Sequence, residues 1–499
     1  MWVRQCEVDA ESDAPLPIPS RIASNEEFIP PPQSPEQKEY EARVLATADR
    51  ESRRQGISRR DFLRTGCGMA AALMAINEVY GKVYEVSLAE VTEPGAFEEK
   101  WPKDGFIFDV QTHHVDLSQK WYDTTPDGAL AVKFFKGFGG GNTPLNEILE
   151  RLTRAHYVKE VFGDSDTTMA IISGVPSRSW EQNPLPPDMM AATRDYVNKI
   201  AGSERVLSHG IMRPNLGPKE LDEMERQVKE LKISAWKMYT GAELGGKFWR
   251  MDDEKVAYPC WEKTKKLGIK NCCVHKGLPL GLFNVEGCMP LDLEKAAKDH
   301  PDLNFIVYHS GFRGGRSRLA EGLGKNVPDP KTNDPQEIPW FSDIIRILKR
   351  NPGIKNIYFE LGGTFAFLSS AMPDTCLHLL GQAIQTAGAD HVLWGTDSIW
   401  NGSPQSQIVR MRKMKMKQEY MDKYKYPDLT DAVKEQILGL NAAKLFNLDV
   451  KAKKNAIKAD KLTQYREDSL RNPQPSNTQY GWLWVGEGEP PPGPVGDAG

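Results

Sequence analysis

The stretch FIFDVQTHHVD, Phe106 to Asp116, reads as a short buried strand that ends in a knot of polar side chains. Side chains alternate across a strand, so Phe106, Phe108 and Val110 fall on one face and Asp109, Gln111 and His113 on the other. A carboxylate, an amide and an imidazole stacked at one strand end, with His114 beside them, make a poor core and a good start for a metal or acid–base site. The plain alternative is a strand end with two surface histidines. Taken alone, the stretch leaves the two readings even, and the rest of the chain separates them.

From about residue 100 to 450, short apolar runs alternate with amphipathic helical stretches. The candidate strands are FIFDV (106–110), TTMAIIS (167–173), RVLSHGIM (205–212), ISAWKMY (233–239), IKNCCVH (269–275), NFIVYH (304–309), NIYFEL (356–361) and HVLWGTD (391–397). Between them lie stripes at helical spacing, such as Leu145, Ile148, Leu149 and Leu152, and Leu221, Met224, Val228 and Leu231. Eight strands alternating with helices predict an α/β (β/α)8 TIM barrel. The runner-up is an open doubly wound sheet, but no GxGxxG follows the first strand. In a barrel the first strand's Phe/Phe/Val face meets the helices, and Gln111 and His113 point inward at the rim where chemistry gathers. That assignment favours His113 over His114 as the inward imidazole.

The other strand ends carry matching chemistry. Strand four has Lys237, strand five ends in His275, strand six in His309, strand seven in Glu360 and strand eight in Asp397. The chain has only nine histidines, and three of them close different strands at one barrel face. One histidine there is ordinarily a satisfied structural residue; three with an aspartate point to a site.

In these motifs the chain resembles the metal-dependent amidohydrolase superfamily, in particular the branch that includes aminocarboxymuconate-semialdehyde decarboxylase. The resemblance covers roughly residues 105–448 and rests on DVQTHH, VHKG, VYHSGF, WGTDS and the closing ILGLNAAKLFNL. It implies that Gln111 and His113 occupy the two first-strand ligand positions. His275 is then a metal ligand, His309 acts on substrate or attacking water, and Asp397 is ligand, base or both. The family carries His-x-His or Glu-x-His on its first strand, so the neutral Gln111 is a departure that weakens metal binding. The expected centre holds one divalent metal, zinc first, on His113, His275 and Asp397, with Gln111 as a fourth ligand or none.

Around that centre, Lys237 reads as a carboxylated bridge to a second metal, a binder of substrate carboxylate, or a structural lysine. Glu360 pairs with a cation or orients a histidine. Arg213 and Arg313 follow strands three and six as anion binders or loop residues. His209 lies within strand three and reads as buried. Trp236, Trp394 and Trp400 suit a bulky or aromatic substrate, or simply the core. Cys272 and Cys273 read as small core residues.

Together these residues predict a metal-dependent hydrolase of an amide, ester or lactone in a small carboxylate-bearing or cyclic substrate. Non-oxidative decarboxylation on the same barrel is the second enzyme reading. A non-catalytic exported binding protein with a degenerate site is the third.

The chain has 499 residues with a formal charge of −4, which gives no sign of a nucleic-acid partner. Seven cysteines form no CxxC pair and no even framework, and no apolar run is long enough for a stable membrane span. Residues 1–56 have the Pro-, Glu- and Ser-rich composition of a disordered lead-in. Ser58-Arg59-Arg60-Asp61-Phe62-Leu63-Arg64 resembles the twin-arginine export motif. An Ala-rich apolar stretch follows it, and Ser87-Leu88-Ala89 offers a cleavage site. Residues 57–89 therefore predict a twin-arginine signal, partnership with that export machinery, and a periplasmic or extracellular location. The long polar loop 313–340 reads as a lid. The basic stretch 408–427 reads as a solvated or homodimer-facing helix, and residues 451–499 as a flexible tail whose Trp482 and Trp484 dock on the body or a second subunit.

Overall fold

Eight parallel strands follow one another around a single sheet. They are β1 (Phe108–Thr112), β2 (Met169–Ile172), β3 (Val206–Ile211), β4 (Ala235–Tyr239), β5 (Asn271–His275), β6 (Asn304–Tyr308), β7 (Ile357–Glu360) and β8 (Val392–Leu393). Each overlaps one of the eight apolar runs and pairs with its sequence neighbour, as helical crossovers between parallel strands require. The two edges also meet. Thr112 bridges Ser398, the Val110 N–H donates to the Trp394 carbonyl (3.0 Å), and the Asp397 N–H donates to the Gln111 carbonyl (3.0 Å). The fold is a nearly closed (β/α)8 barrel, not an open doubly wound sheet. This computed structural model describes residues 2–4, 16–21, 33–102, 104–118, 121, 149–279, 283–313, 334–471 and 482–484. Leu145, Ile148 and most of the 313–340 loop lie outside them.

β1 overturns the expected alternation. Phe106, Phe108 and Val110 do not face the helices. They pack with Met169, Ile171, Leu207, Ala235, Cys273, Ile306 and Leu393, which fill the barrel interior. The closing helix plugs the bottom of that core, with the Phe446 ring 5.7 Å from Phe108. Register runs from Phe108 opposite Met169 and Asp109 opposite Ala170 to Thr112 opposite Ile172, with a bulge between Asp109 and Thr112. The extra residue restores the inward aim of Gln111 and His113 while Asp109 and Thr112 face outward. Asp109 holds the bulge by accepting from the Gln111 N–H (3.1 Å), the Thr396 N–H (3.1 Å) and the Thr396 hydroxyl.

The N-terminal region also departs from expectation. Within the stretch read as a disordered lead-in, α1 (Pro35–Gln55) is a helix of 21 residues. Ser34 and Gln37 form a capping box, Pro35 sits at its first turn, and Tyr40, Val44 and Ala48 make a buried stripe. The Ala-rich stretch forms α2 (Gly66–Tyr80), whose Ala70, Ala72, Leu73 and Ile76 are fully buried. The chain then joins the barrel: the Glu85 N–H donates to the Lys413 carbonyl and the Lys415 N–H to the Val83 carbonyl, both at 2.7 Å. The Tyr84 hydroxyl donates to the Ser369 carbonyl.

The outer layer comprises α3 (Pro187–Ala201), α4 (Lys219–Lys229), α5 (Tyr258–Lys266), α6 (Leu293–Asp299), α7 (Phe341–Arg350), α8 (Gly362–Ala371) and α9 (Pro373–Ala387). The basic stretch is not one solvated helix but two, α10 (Gln405–Lys413) and α11 (Gln418–Tyr424). The break places Met414 against Tyr84. Three of its five lysines are paired: Lys413 with Glu90, Lys415 with Glu85 and Lys417 with Asp374. The barrel closes with α12 (Asn441–Leu445). Within the expected flexible tail, α13 (Val450–Ile457) and α14 (Lys461–Arg471) are helical. The buried Arg205–Asp460 pair (2.6 Å) pins them to the body. Trp2–Arg4 and Trp482–Trp484 pair as antiparallel strands. Among the described residues no helix is long and apolar enough to cross a membrane.

Candidate active site

The bulge in β1 and the turn after β8 bring two ends of the barrel segment to one point. Gln111 Nε2 donates to Asp397 Oδ1 at 2.8 Å, and His113 Nε2 lies 3.1 Å from the same oxygen. Gln111 Nε2 and His113 Nε2 are 3.5 Å apart. Asp397 adopts a left-handed backbone (φ 60°), a conformation that aspartate tolerates better than most residues. Burial works to raise its carboxyl, but the His113 contact, helped by His309 and Lys237, holds it below the usual carboxylate range. Burial lowers His113 despite the pull of Asp397. At neutral pH the pair is therefore a carboxylate beside a neutral imidazole. The Trp400 ring stacks on His113 at 5.1 Å.

His309 and His275 form the second half of the site, with ring centroids 4.8 Å apart. His275 Nε2 lies 2.9 Å from the Leu278 carbonyl and donates to it, which leaves Nδ1 as the acceptor. Its ring stacks on Tyr239 at 5.2 Å. The chain is left-handed at His309 (φ 58°) and Ser310 (φ 52°). The His309 N–H donates to Glu360 Oε2 at 3.0 Å. Burial pushes the His309 imidazole down to about 4 and raises Glu360 well above the carboxylate range. A Cβ on Gly362 would lie within 2.9 Å of His309 Nδ1, Gln111 Oε1 and Glu360 Oε2, so this glycine is the floor on which three polar groups converge.

Lys237 lies beneath them, fully buried, with Nζ 3.5 Å from the Tyr308 ring centroid and no hydrogen-bond partner. Burial lowers it to about 7, against the pull of Asp397 and Glu360. Arg213 has other partners: it pairs with buried Glu220 (3.0 Å), donates to the Ser177 and Arg178 carbonyls, and covers the Trp180 ring at 3.4 Å. Breaking such a buried pair costs about 3–5 kcal/mol, so the guanidinium is held where it stands. Arg313 lies 5.7 Å from the Trp340 ring centroid, with Nε buried and unpartnered. His114 turns to the helix layer, 3.0 Å from the Thr193 hydroxyl of α3, and His209 sits 3.7 Å from Cys273 Sγ inside the barrel. Trp236 and Trp394 are core residues with no exposure. Gly362, Gly395, Thr396 and Tyr308 are not among the residues expected from sequence. The glycines beside Glu360 and Asp397 were the available signal.

A divalent cation fits this donor set in part. His113 and Asp397 converge, and the oxygen that Gln111 would offer, Oε1, is buried and unpartnered. His275 has the carbonyl-anchored tautomer usual for a metal-bound imidazole. Among the described residues, however, no three His, Cys, Asp or Glu side chains form a group that could hold a metal. Of the expected ligands, His113 and Gln111 meet Asp397, while His275 lies beside His309.

A family model described as amidohydrolase matches residues 151–448, and the segment bearing Gln111 and His113 precedes the match. No curated protein matches the chain. Among solved structures, 5-carboxyvanillate decarboxylase from Sphingomonas paucimobilis is similar at 13% identity with a TM-score of 0.45, over 69% of this chain and 100% of that one. The Novosphingobium aromaticivorans 5-carboxyvanillate decarboxylase with bound manganese is similar at 16% identity with a TM-score of 0.42, over 69% and 97%. The 2,6-dihydroxybenzoate decarboxylase from Rhizobium is similar at 15% identity with a TM-score of 0.39, over 69% and 99%.

Proposed function

The chain belongs to the amidohydrolase family, and from that premise we propose that it hydrolyses a C–N or C–O bond in a small carboxylate-bearing or cyclic amide, ester or lactone. The observation that carries the reading is the convergence of His113 and Gln111 on an ionised Asp397. Asp397 takes a proton from the attacking water and passes it to the leaving nitrogen or oxygen. His309, neutral at pH 7, donates its N–H to the carbonyl oxygen as charge develops there. Lys237 supplies positive potential from below while it remains protonated. A divalent cation, with zinc as the first candidate, would be held by His113, Asp397 and Gln111 and would supply Lewis acidity at this corner.

Elemental analysis of the purified protein, followed by a panel of lactones, cyclic amides and esters, tests the proposal. Turnover that consumes water and is lost in His113→Ala supports it. Full turnover in His113→Ala rejects it.

A second reading, non-oxidative decarboxylation, draws on the aromatic walls. Trp400 stacks on His113, Tyr239 on His275, and Phe283 lies 5.4 Å from Tyr239, surroundings suited to a planar ring. There His309 or Asp397 would deliver the proton to ring carbon. Carbon dioxide released from aromatic acids without net water uptake distinguishes it.

A further inference from the structure

We propose that Glu360 is a positioning residue for His309, its carboxyl clasping the left-handed turn that carries the imidazole. The inference deepens the hydrolase reading and rests on it for the role of His309. After β6 the chain takes three successive left-handed residues, His309 (φ 58°), Ser310 (φ 52°) and Gly311 (φ 65°). Only the glycine adopts this conformation without penalty, so the other two must be held by their surroundings.

The holding contacts come chiefly from the start of α8 and the end of β7. The His309 N–H donates to Glu360 Oε2 (3.0 Å), the Ser310 hydroxyl to the Glu360 carbonyl (2.9 Å), and the Thr364 hydroxyl to the His309 carbonyl (2.9 Å). The barrel also makes room for this carboxyl. A Cβ on Gly395 would collide with Glu360 Oε1, and one on Gly362 would lie 2.9 Å from Oε2 and 2.7 Å from His309 Nδ1. Two strand-end glycines therefore clear the space in which Glu360 reaches across to His309.

The competing role is a counter-ion for Lys237. No ion pair joins the two, and the Lys237 ammonium rests on Tyr308 without a hydrogen bond. A carboxyl buried for charge would meet that cation directly; this one meets a backbone N–H.

Hydrogen exchange and kinetics on the full chain test the clasp. In Glu360→Ala the amides of residues 309–312 should exchange about tenfold faster, the protection owed to one hydrogen bond. Glu360→Gln, which keeps an oxygen acceptor and the same volume, should restore protection. On any substrate the wild type turns over, Glu360→Ala should lower kcat by the factor seen in His309→Ala with KM unchanged, and the double variant should be no slower than His309→Ala. If Glu360→Ala does not fold, Glu360→Asp withdraws the carboxyl by one methylene and should loosen the same amides. Unchanged exchange in the Ala or Asp variant overturns the proposal. Equal loss in Glu360→Gln and Glu360→Ala also overturns it, because charge would then be what matters. If no substrate is turned over, the hydrolase reading fails while exchange still decides the clasp.

Discussion

His113 Nε2 lies 3.1 Å from Asp397 Oδ1, and that contact spans the seam where the first and last strands of the barrel meet. The seam and the site are therefore one structure. Asp397→Asn preserves shape and removes the charge that accepts the proton. We expect a folded protein whose kcat falls by roughly 10²–10⁴-fold, the range for loss of a general base. Steady-state kinetics beside a thermal melt would check it, and an Asn variant at wild-type rate would remove Asp397 from the chemistry.

Gln111→Glu exchanges a neutral amide for a carboxylate 2.8 Å from Asp397. Without a cation, two carboxylates would face each other and the fold should lose stability. With one, the added anionic ligand should tighten binding about tenfold or more, equal to about 1.4 kcal/mol. Thermal shift against zinc and manganese should show a lower starting Tm and a larger metal-dependent rise than wild type. A Tm that does not rise with either metal in the Glu variant would mean that no cation binds at this corner.

The strand pattern was legible because parallel strands buried on both faces are short apolar runs, and all eight were found from sequence. The polar strand ends were legible for the same reason: a histidine or carboxylate there interrupts such a run. The face assignment of β1 was not, because strict alternation cannot foresee a residue inserted between Asp109 and Thr112. The device that stabilises it, Asp109 bonded to Thr396, joins residues from opposite ends of the barrel segment. In the N-terminal layer, composition outweighed pattern. Tyr40, Val44 and Ala48 at helical spacing behind a Ser34–Gln37 cap carried the signal that proline and glutamate content obscured.

Burial lowers Lys237 to about 7, so this cation titrates within the working range. Its charge favours developing anion above it, so kcat/KM should fall as pH rises through about 7. Lys237→Met should be slower by about tenfold at pH 6 and lack that limb, converging on wild type at high pH. A pH–rate profile of both proteins decides; the same descending limb in the Met variant would assign it to another group.

His378 is buried among Tyr420, Tyr424 and Tyr426, bonded to the Tyr426 hydroxyl at 3.1 Å, and burial lowers it to about 4. The unfolded chain binds this proton near pH 6.5 and the folded chain does not, so stability is full above 6.5 and falls as pH drops towards 4. The loss is at most about 3 kcal/mol from a shift of this size. His378→Gln should flatten the dependence of Tm on pH between 6.5 and 4. An unchanged slope would place the acid sensitivity elsewhere, for instance at His114 or His309, both also lowered to about 4.

The arginine pair at 59–60 lies on a segment that the fold uses. Phe62, Ala70, Ala72, Leu73 and Ile76 are fully buried, and each large side chain among them is worth about 1.5–3 kcal/mol of burial. Tyr84 reaches the Ser369 carbonyl on α8, the helix that begins at Gly362 on the floor of the site. Arg410 is buried beside it and donates to the Ala366 carbonyl (2.9 Å) and the Ser369 hydroxyl (2.6 Å). Cleavage after Ala89 would strip this layer and leave an apolar face and the buried Arg410 open to water. Measured against a total stability of about 5–15 kcal/mol, such a loss should destabilise the barrel strongly. We therefore expect protein recovered from an export-competent host to retain residues 35–89 by intact mass, and a chain starting at Glu90 to be insoluble. Tyr84→Phe, which deletes one hydroxyl, should remain folded with Tm lowered by a few degrees. A product shortened at Ala89 that melts like the full chain would show that the layer is dispensable and that the segment acts as a removable leader.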